Sequence, residues 1–371
     1  MNIVMLLSNP YVIDPRVQRE AKVLIEKGHN VTVIVWDRRR EYAKQETIDG
    51  VKIIRVHNDG IMKYLPNDIV KNYFWWKRAY ATALSLYNNN SFDVVHCHDL
   101  DTLNTGVWLK KKLGIKLVFD SHEIFGYMIE KDVPKFVSKY VFHMEKKLVK
   151  EVDELITIDE IFKEYFMGIA KCPVTVVMNC KDLVYKKYSK PTGEFTLVYI
   201  GIMTHGRFFP DILDVTNELN VKFVLAGKKE GIYYEVEKKV TNYSNVDFLG
   251  TVDSEQIIPL TKEASAVLLL VDPTNNNHKR TVFNKQFEAM VCGRPIIVTG
   301  GTYAGDMVDK YKCGLVVEHT KESITKAIIK LRDNPELCET LGKNALKIAI
   351  EKFNWELEKK KLVDVYERLL K

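Results

Sequence analysis

No window of the sequence carries the roughly eighteen uninterrupted apolar residues that a membrane-crossing helix needs. The opening Met1-Asn-Ile-Val-Met-Leu-Leu-Ser-Asn9 has no basic leader and no small-residue cleavage site, and it reads as a first strand. Cysteine is sparse, six in 371 residues, scattered with no Cys-x-x-Cys pair. Neither a zinc site nor a disulfide framework is suggested, and a reducing cytoplasm is the expected compartment. Gly-x-Gly-x-x-Gly and Gly-x-x-x-x-Gly-Lys are both absent, so a simple dinucleotide enzyme or P-loop nucleotidase is unsupported. Charge is not lopsided either. A formal net charge of +6 permits anionic partners but names none, and no recognition module for nucleic acid accompanies it.

What is present is the composition of a soluble globular protein, 46% hydrophobic and 28% charged with a mean hydropathy of -0.16, long enough for two domains. Short apolar runs alternate with amphipathic helical stretches, the pattern of α/β layers with parallel sheets. In the first half the strand-like runs are 3–7, 31–36, 51–56, 93–97, 116–119, 154–158 and 174–177. Helical patterns lie between them, at 15–27, 68–87, 101–113 and 134–149. Residues 186–194 are polar, carry Pro and Gly and show no period, and read as a linker. The pattern restarts at 195–200 and continues through 222–225, 246–249, 267–270, 295–298 and 315–317. Three helices, near 321–332, 335–352 and 355–370, follow. The halves read as tandem Rossmann-type sheets, 1–185 and 195–352, whose strand ends are where ligands bind and which are expected to face one cleft.

The stretch Arg280–Pro295, followed by the apolar Ile296-Ile-Val298, reads as a helix of about three turns leading into a buried strand through a Gly-x-Pro stop. Asn284 and Lys285 fall in its first turn and Glu288 one turn later on the same side. The positive end of a helix dipole with a lysine beside it suits a phosphate, and a carboxylate one turn deeper suits ribose hydroxyls. An ordinary surface ion pair fits the same spacing. Gly201-Ile-Met-Thr-His-Gly206-Arg207 follows the first strand of the second half. Its glycines admit a ligand close to the backbone, and Arg207 offers a planar fork to a diphosphate.

Three clusters stand at strand ends in the first half. In Asp14-Pro-Arg16, Arg16 either reaches an anion across a cleft or belongs to an exposed charge cluster at a helix start. In His96-Cys-His98-Asp99-Leu-Asp101, Asp101 is placed to cap the next helix, and His98 and Asp99 are candidates for a polar role in a cleft. No third histidine or cysteine lies at metal-ligand spacing there. In Asp120-Ser-His122-Glu123, the imidazole of His122 can donate to a sugar hydroxyl or share a developing charge, with Glu123 beside it.

Taken together, and over nearly its whole length, the chain resembles a retaining glycosyltransferase of family 4. The resemblance rests on Asp14-x-Arg16-Val with Lys27-Gly28-His29-x-Val31, His98-Asp99-Leu-Asp101, and Asp120-Ser-His122-Glu123. In the second half it rests on Gly201 to Arg207, Asp247-Phe-Leu-Gly250-Thr-Val252, Asn284-Lys285-x-Phe287-Glu288-Ala-Met-x-x-Gly293-x-Pro295 and Phe353-x-Trp355. It implies a GT-B fold of two Rossmann-like domains, with the last helix, 355–371, crossing back to the first. By resemblance, Glu288 holds the ribose, Arg207, Lys285 and Asn284 the phosphates, and Val252 the base, while His122 lies near the transferred sugar. Two departures mark this chain. Arg280 stands where the family's upstream glutamate contacts the donor sugar, and Asp14-Pro-Arg16 replaces the glycine-rich first loop of many relatives.

The expected activity is transfer of a hexose from a UDP- or GDP-sugar to an acceptor hydroxyl with retention, in cell-surface glycan or glycolipid synthesis. His122, Arg207 and Lys285 are the expected catalytic residues, and no cofactor or essential metal is required. A GT-B sugar-nucleotide epimerase and a non-catalytic nucleotide- or glycan-binding protein are the alternatives. The aromatic and basic stretches 63–78 and 131–140 suit a lipid-linked acceptor and a peripheral contact at the inner face of the membrane. They equally suit a packed core with a solvated face.

Overall fold

The apolar runs pair as two parallel sheets in the computed structural model, which describes residues 1–65 and 68–371. Pro66 and Asn67, inside the aromatic and basic stretch 63–78, lie outside the described residues. The chain divides into unit one, Met1–Met178 with Lys359–Lys371, and unit two, Asn179–Glu358.

Unit one carries an eight-stranded sheet in the order β3-β4-β2-β1-β5-β6-β7-β8. Its strands are β1 (Asn2–Leu7), β2 (Asn30–Asp37), β3 (Gln45–Ile48), β4 (Val51–His57), β5 (Val94–His98), β6 (Lys116–Ser121), β7 (Glu154–Thr157) and β8 (Val174–Val176). Among them β3 alone runs antiparallel. It was missed by its sequence pattern because it is short, polar and half exposed, as an edge strand should be. The signal lay in the turn: Asp49 and Gly50 both take positive φ, 49° and 82°, the pair of left-handed residues that closes a two-residue hairpin. The helix Pro15–Glu26 starts as its sequence dictates, with Asp14 accepting the N–H of Val17 and Pro15 in the first turn. In the core, Trp36 and Trp75 stack at 5.6 Å and both are fully buried. Part of the first aromatic stretch is therefore core.

Unit two carries a six-stranded parallel sheet in the order β11-β10-β9-β12-β13-β14. Its strands are β9 (Thr196–Ile200), β10 (Lys222–Ala226), β11 (Val246–Gly250), β12 (Ala266–Leu269), β13 (Ile296–Thr299) and β14 (Gly314–Val317). Residues 179–185, expected with the first half, belong to unit two. Asn179 donates to Asn284, Lys181 pairs with Glu288, and the Lys181 carbonyl accepts the N–H of Trp355. The last helix, Trp355–Leu369, begins in unit two and ends in unit one, where Tyr366 meets His96 and Arg368 forms a two-pronged pair with Glu154.

The organising stretch differs from expectation in one respect. Its helix is Asn284–Cys292, and Arg280 closes a separate short helix, Asn276–Arg280, so the first residues of the stretch are not helical with the rest. The stop is as read, with Gly293 at φ 64° in the left-handed conformation that suits glycine best.

Candidate functional site

In unit two, parallel β9, β10 and β11 end side by side, and the loops that follow them meet the first turns of the helix Asn284–Cys292. Between them lies a hollow of about 300 Å³ lined by Gly201, Ile202, Arg207, Gly227, Lys228, Thr251, Val252, Phe283, Asn284, Lys285 and Glu288, among others. All six residues picked from the second half for the donor side thus line one hollow: Gly201, Arg207, Val252, Asn284, Lys285 and Glu288. A larger hollow, about 580 Å³, opens near Gly300, Gly301 and His319, but among the described residues no lysine or arginine lines it.

The two cations are held close together. A Cβ built on Gly201 would fall 2.3 Å from Lys285 Nζ and 3.9 Å from Arg207 Nη1, so the residue must be glycine for the ammonium to sit there. Tyr199, at the end of β9, supports both. Its ring lies 4.4 Å beneath the Lys285 ammonium, and its hydroxyl accepts from Arg207 at 3.4 Å. Arg207 also donates to the Ile202 carbonyl at 3.1 Å. Burial, then the like charge of Arg207, pull the Lys285 ammonium down to about 7, against the opposing pull of Glu288. The hollow is therefore short of negative charge. Phe283, at the N-cap of the helix, has no side-chain acceptor to offer the first backbone N–H groups. Tyr199 and Lys181 were not picked out in the sequence, because a tyrosine in a strand and a lysine in an irregular segment carry no pattern. Lys181 Nζ stands 3.1 Å from Glu288 Oε1. Arg280 does not line the hollow; its guanidinium donates to the backbone and side chain of Asn276.

Unit one gathers a different constellation. His96 and His98 alternate on β5, so both rings leave the same face of the sheet and stack at 4.3 Å, while Cys97 faces the opposite side against Gly106. Asp120 is His98's partner in register on β6. Its carboxylate accepts from Arg16 at 2.7 Å and from His122 at 3.0 Å, and lies 3.3 Å from His98 Nδ1. Arg16 also donates to Glu20, one helical turn along, at 3.0 Å. Arg16 is 7% exposed and His98 fully buried, so the reading of Arg16 as part of an exposed charge cluster at a helix start does not hold. Asp101 is a second correction: the helix is Leu100–Leu113, Asp99 holds its N-cap position, and Asp101 sits in the first turn. Burial, then the neighbouring Asp99, push the Asp101 carboxyl up to about 6. The Glu123 carbonyl accepts from the Ser121 hydroxyl.

Glu20, His96, His98 and Asp120 place one nitrogen or oxygen each within 4.8 Å of the others, a donor set of the kind that holds a divalent ion. The guanidinium of Arg16 already spans the two carboxylates, however, and supplies the positive charge that an ion would bring. Burial, then Asp120, push Glu20 toward its neutral form. Against the cost of burial, Arg16 and then His122 hold Asp120 well below the usual carboxylate range. Burial and Arg16 work against a charged His122, yet Asp99 and Asp120 outweigh them and raise it to about 9. Arg16 thus lies against both Glu20 and Asp120, and His122 against Asp120 and Asp99.

Among known proteins, the model of Glycosyltransferase Family 4 matches residues 16–184 and that of Glycosyl transferases group 1 matches 194–334. An uncharacterized glycosyltransferase of Methanocaldococcus jannaschii is 23% identical over 298 residues, 78% of this chain and 80% of that protein. Sucrose-phosphate synthase from Thermosynechococcus elongatus superposes with a TM-score of 0.81 at 17% identity, covering 100% of this chain and 99% of that one. The Anabaena protein HepE, in a complex with UDP-glucose, superposes with a TM-score of 0.73 at 13% identity, covering 99% and 100%. With both halves matched and the paired parallel sheets in place, the chain belongs to the family 4, group 1 glycosyltransferases and has the GT-B fold.

Proposed function

We propose that this sugar transferase moves a hexose from a nucleoside-diphosphate donor, with UDP the first nucleotide to test, to an acceptor hydroxyl with retention of configuration. The observation that carries this reading is the convergence of Arg207, Lys285 and Glu288 on one hollow at the end of a parallel sheet. The HepE complex with UDP-glucose supports a uridine donor. Arg207, Lys285 and the N-terminal amides of the helix Asn284–Cys292 take the diphosphate, and Asn284 lies beside it. Glu288 takes the ribose hydroxyls, sharing its carboxylate with Lys181, and Thr251, Val252 and Ile257 form the wall for the base. In the transfer step the bond from the anomeric carbon to the phosphate breaks as the bond to the acceptor oxygen forms on the same face. The acceptor's proton passes to the departing phosphate. The chain supplies no nucleophile; its cations stabilise charge growing on that phosphate, each such donor lowering the barrier by about 3 kcal/mol. No step requires a metal.

The acceptor side is assigned to unit one, in cell-surface glycan or glycolipid synthesis. Phe136 and Tyr140 lie one turn apart on the helix Lys135–Leu148, 74% and 66% exposed, with Lys135 and Lys139 exposed beside them. That face supports a peripheral membrane contact and a lipid-linked acceptor. No helix among the described residues is long and apolar enough to cross a membrane.

A thermal-shift screen of UDP, GDP and ADP, followed by radiolabelled sugar transfer with the nucleotide that binds, tests the donor. Arg207→Ala and Lys285→Ala are expected to lower turnover about 100-fold each with the fold intact. Parent-like transfer by both would end this reading. The position of Arg280, bonded to Asn276 and away from the hollow's lining, favours one second reading: a nucleotide-binding protein without turnover. Tight UDP binding with no donor consumed would support it.

A further inference from the structure

His122 has little left to offer a substrate. Its Nε2 meets Asp120 at 3.0 Å, its Nδ1 stands 3.4 Å from Asp99 Oδ2, and its backbone N–H donates to Asp99 Oδ1 at 3.0 Å. With the ring charged, both N–H groups point at carboxylates and neither nitrogen keeps a lone pair. Along this row exposure rises outward. The side chain of Asp120 is wholly buried, that of His122 is 17% exposed and that of Asp99 is 31% exposed.

Asp99 breaks two local rules to stand where it does. It occupies the N-cap position of the helix Leu100–Leu113, yet its carboxylate makes no capping bond. Its backbone also holds φ 62° and ψ 162°, a conformation that disfavours any residue but glycine. The main chain is pinned there by its N–H to the Asp120 carbonyl at 2.9 Å, with the Thr102 N–H on its own carbonyl at 3.2 Å. Glycine would relieve the strain and serine would cap the helix. The chain spends the position on a carboxylate turned toward His122 and solvent.

We propose that Asp99, rather than His122, is the residue of unit one that receives the acceptor hydroxyl. The assignment rests on the transfer reading above. Asp99 accepts the hydrogen bond of the hydroxyl and fixes the direction of its oxygen; the hydroxyl's proton leaves with the diphosphate. His122, charged and clasped between the two carboxylates, is a positioning residue.

The test uses the full chain with UDP-glucose as donor, and water and a panel of octyl glycosides as sources of hydroxyl. Asp99→Asn keeps the shape and removes the charge. Asp99→Gly removes the carboxylate while fitting the backbone better, so its midpoint of unfolding should equal or exceed the parent's. Both variants should bind UDP within twofold of the parent by calorimetry, yet release UDP from UDP-glucose at least 50-fold more slowly. In Asp99→Asn the His122 ring, followed by NMR, should also titrate at lower pH as it loses one of its two carboxylates. UDP release within threefold of the parent in Asp99→Gly overturns the assignment while leaving the transfer reading intact. A parent that binds UDP but turns over no sugar with any donor overturns the transfer reading and this assignment with it.

Discussion

Lys285 shows how far single residues could be read in advance. Its helical spacing to Glu288 gave its place, but its ionisation depends on burial and on Arg207, which only the fold brings near. An ammonium held near 7 is costly to keep charged, so Lys285→Met should raise the unfolding midpoint while weakening UDP binding about 100-fold, measured by thermal shift and calorimetry. A bound diphosphate would restore the proton. UDP affinity should therefore fall roughly tenfold from pH 7.5 to 8.5, with protons taken up in calorimetry across buffers. His122 runs the opposite way. Raised to about 9 from 6.5, it stabilises the fold fully below the unfolded value, and that contribution is lost as the pH rises through 9. Denaturant midpoints should fall over that window in the parent, and the fall should be shallower in His122→Gln. Neither Arg16 nor His98 was legible as a buried group. Arg16's partner Asp120 lies 104 residues away, and a helix-start arginine looks the same in sequence whether it faces water or a carboxylate.

At the scale of elements, strands and helices with strong periods were legible almost to their ends, as at Lys321–Arg332 and Pro335–Glu351. Elements set by turn chemistry were not. The edge strand β3 has no apolar run, and its hairpin was announced only by Asp49-Gly50. The break after Arg280 and the cap at Asp99 rather than Asp101 depend on what the backbone meets in space. The loop after β9 was legible because glycine at a strand end has few other uses, and its geometry sets a test. Gly201→Ala places a methyl 2.3 Å from the Lys285 ammonium at φ 151°, so the loop or the lysine must move. UDP affinity should drop at least tenfold by calorimetry, with a smaller loss of stability of about 1 kcal/mol in denaturant titration.

At the scale of the molecule, each unit has a core of its own. One is gathered around Trp36, Trp75 and Phe119, the other around Leu197, Phe223 and Leu268. The hollow at the ends of β9, β10 and β11 is lined by unit two alone. Scanning calorimetry should therefore resolve two transitions, of which saturating UDP raises only the one that Lys285→Met also moves; a single transition raised as a whole would count against separate cores. The tandem α/β plan was legible because parallel strands and crossover helices repeat their signature along the chain, and the passage of the last helix was not, except by resemblance. That passage bears on how the protein is born. Because Tyr366 completes the interior beside His96 and Arg368 pairs with Glu154 from the surface, the portion synthesised first is the last to be finished. A chain ending at Glu358 should show a protease-resistant later portion joined to an earlier one still open to digestion.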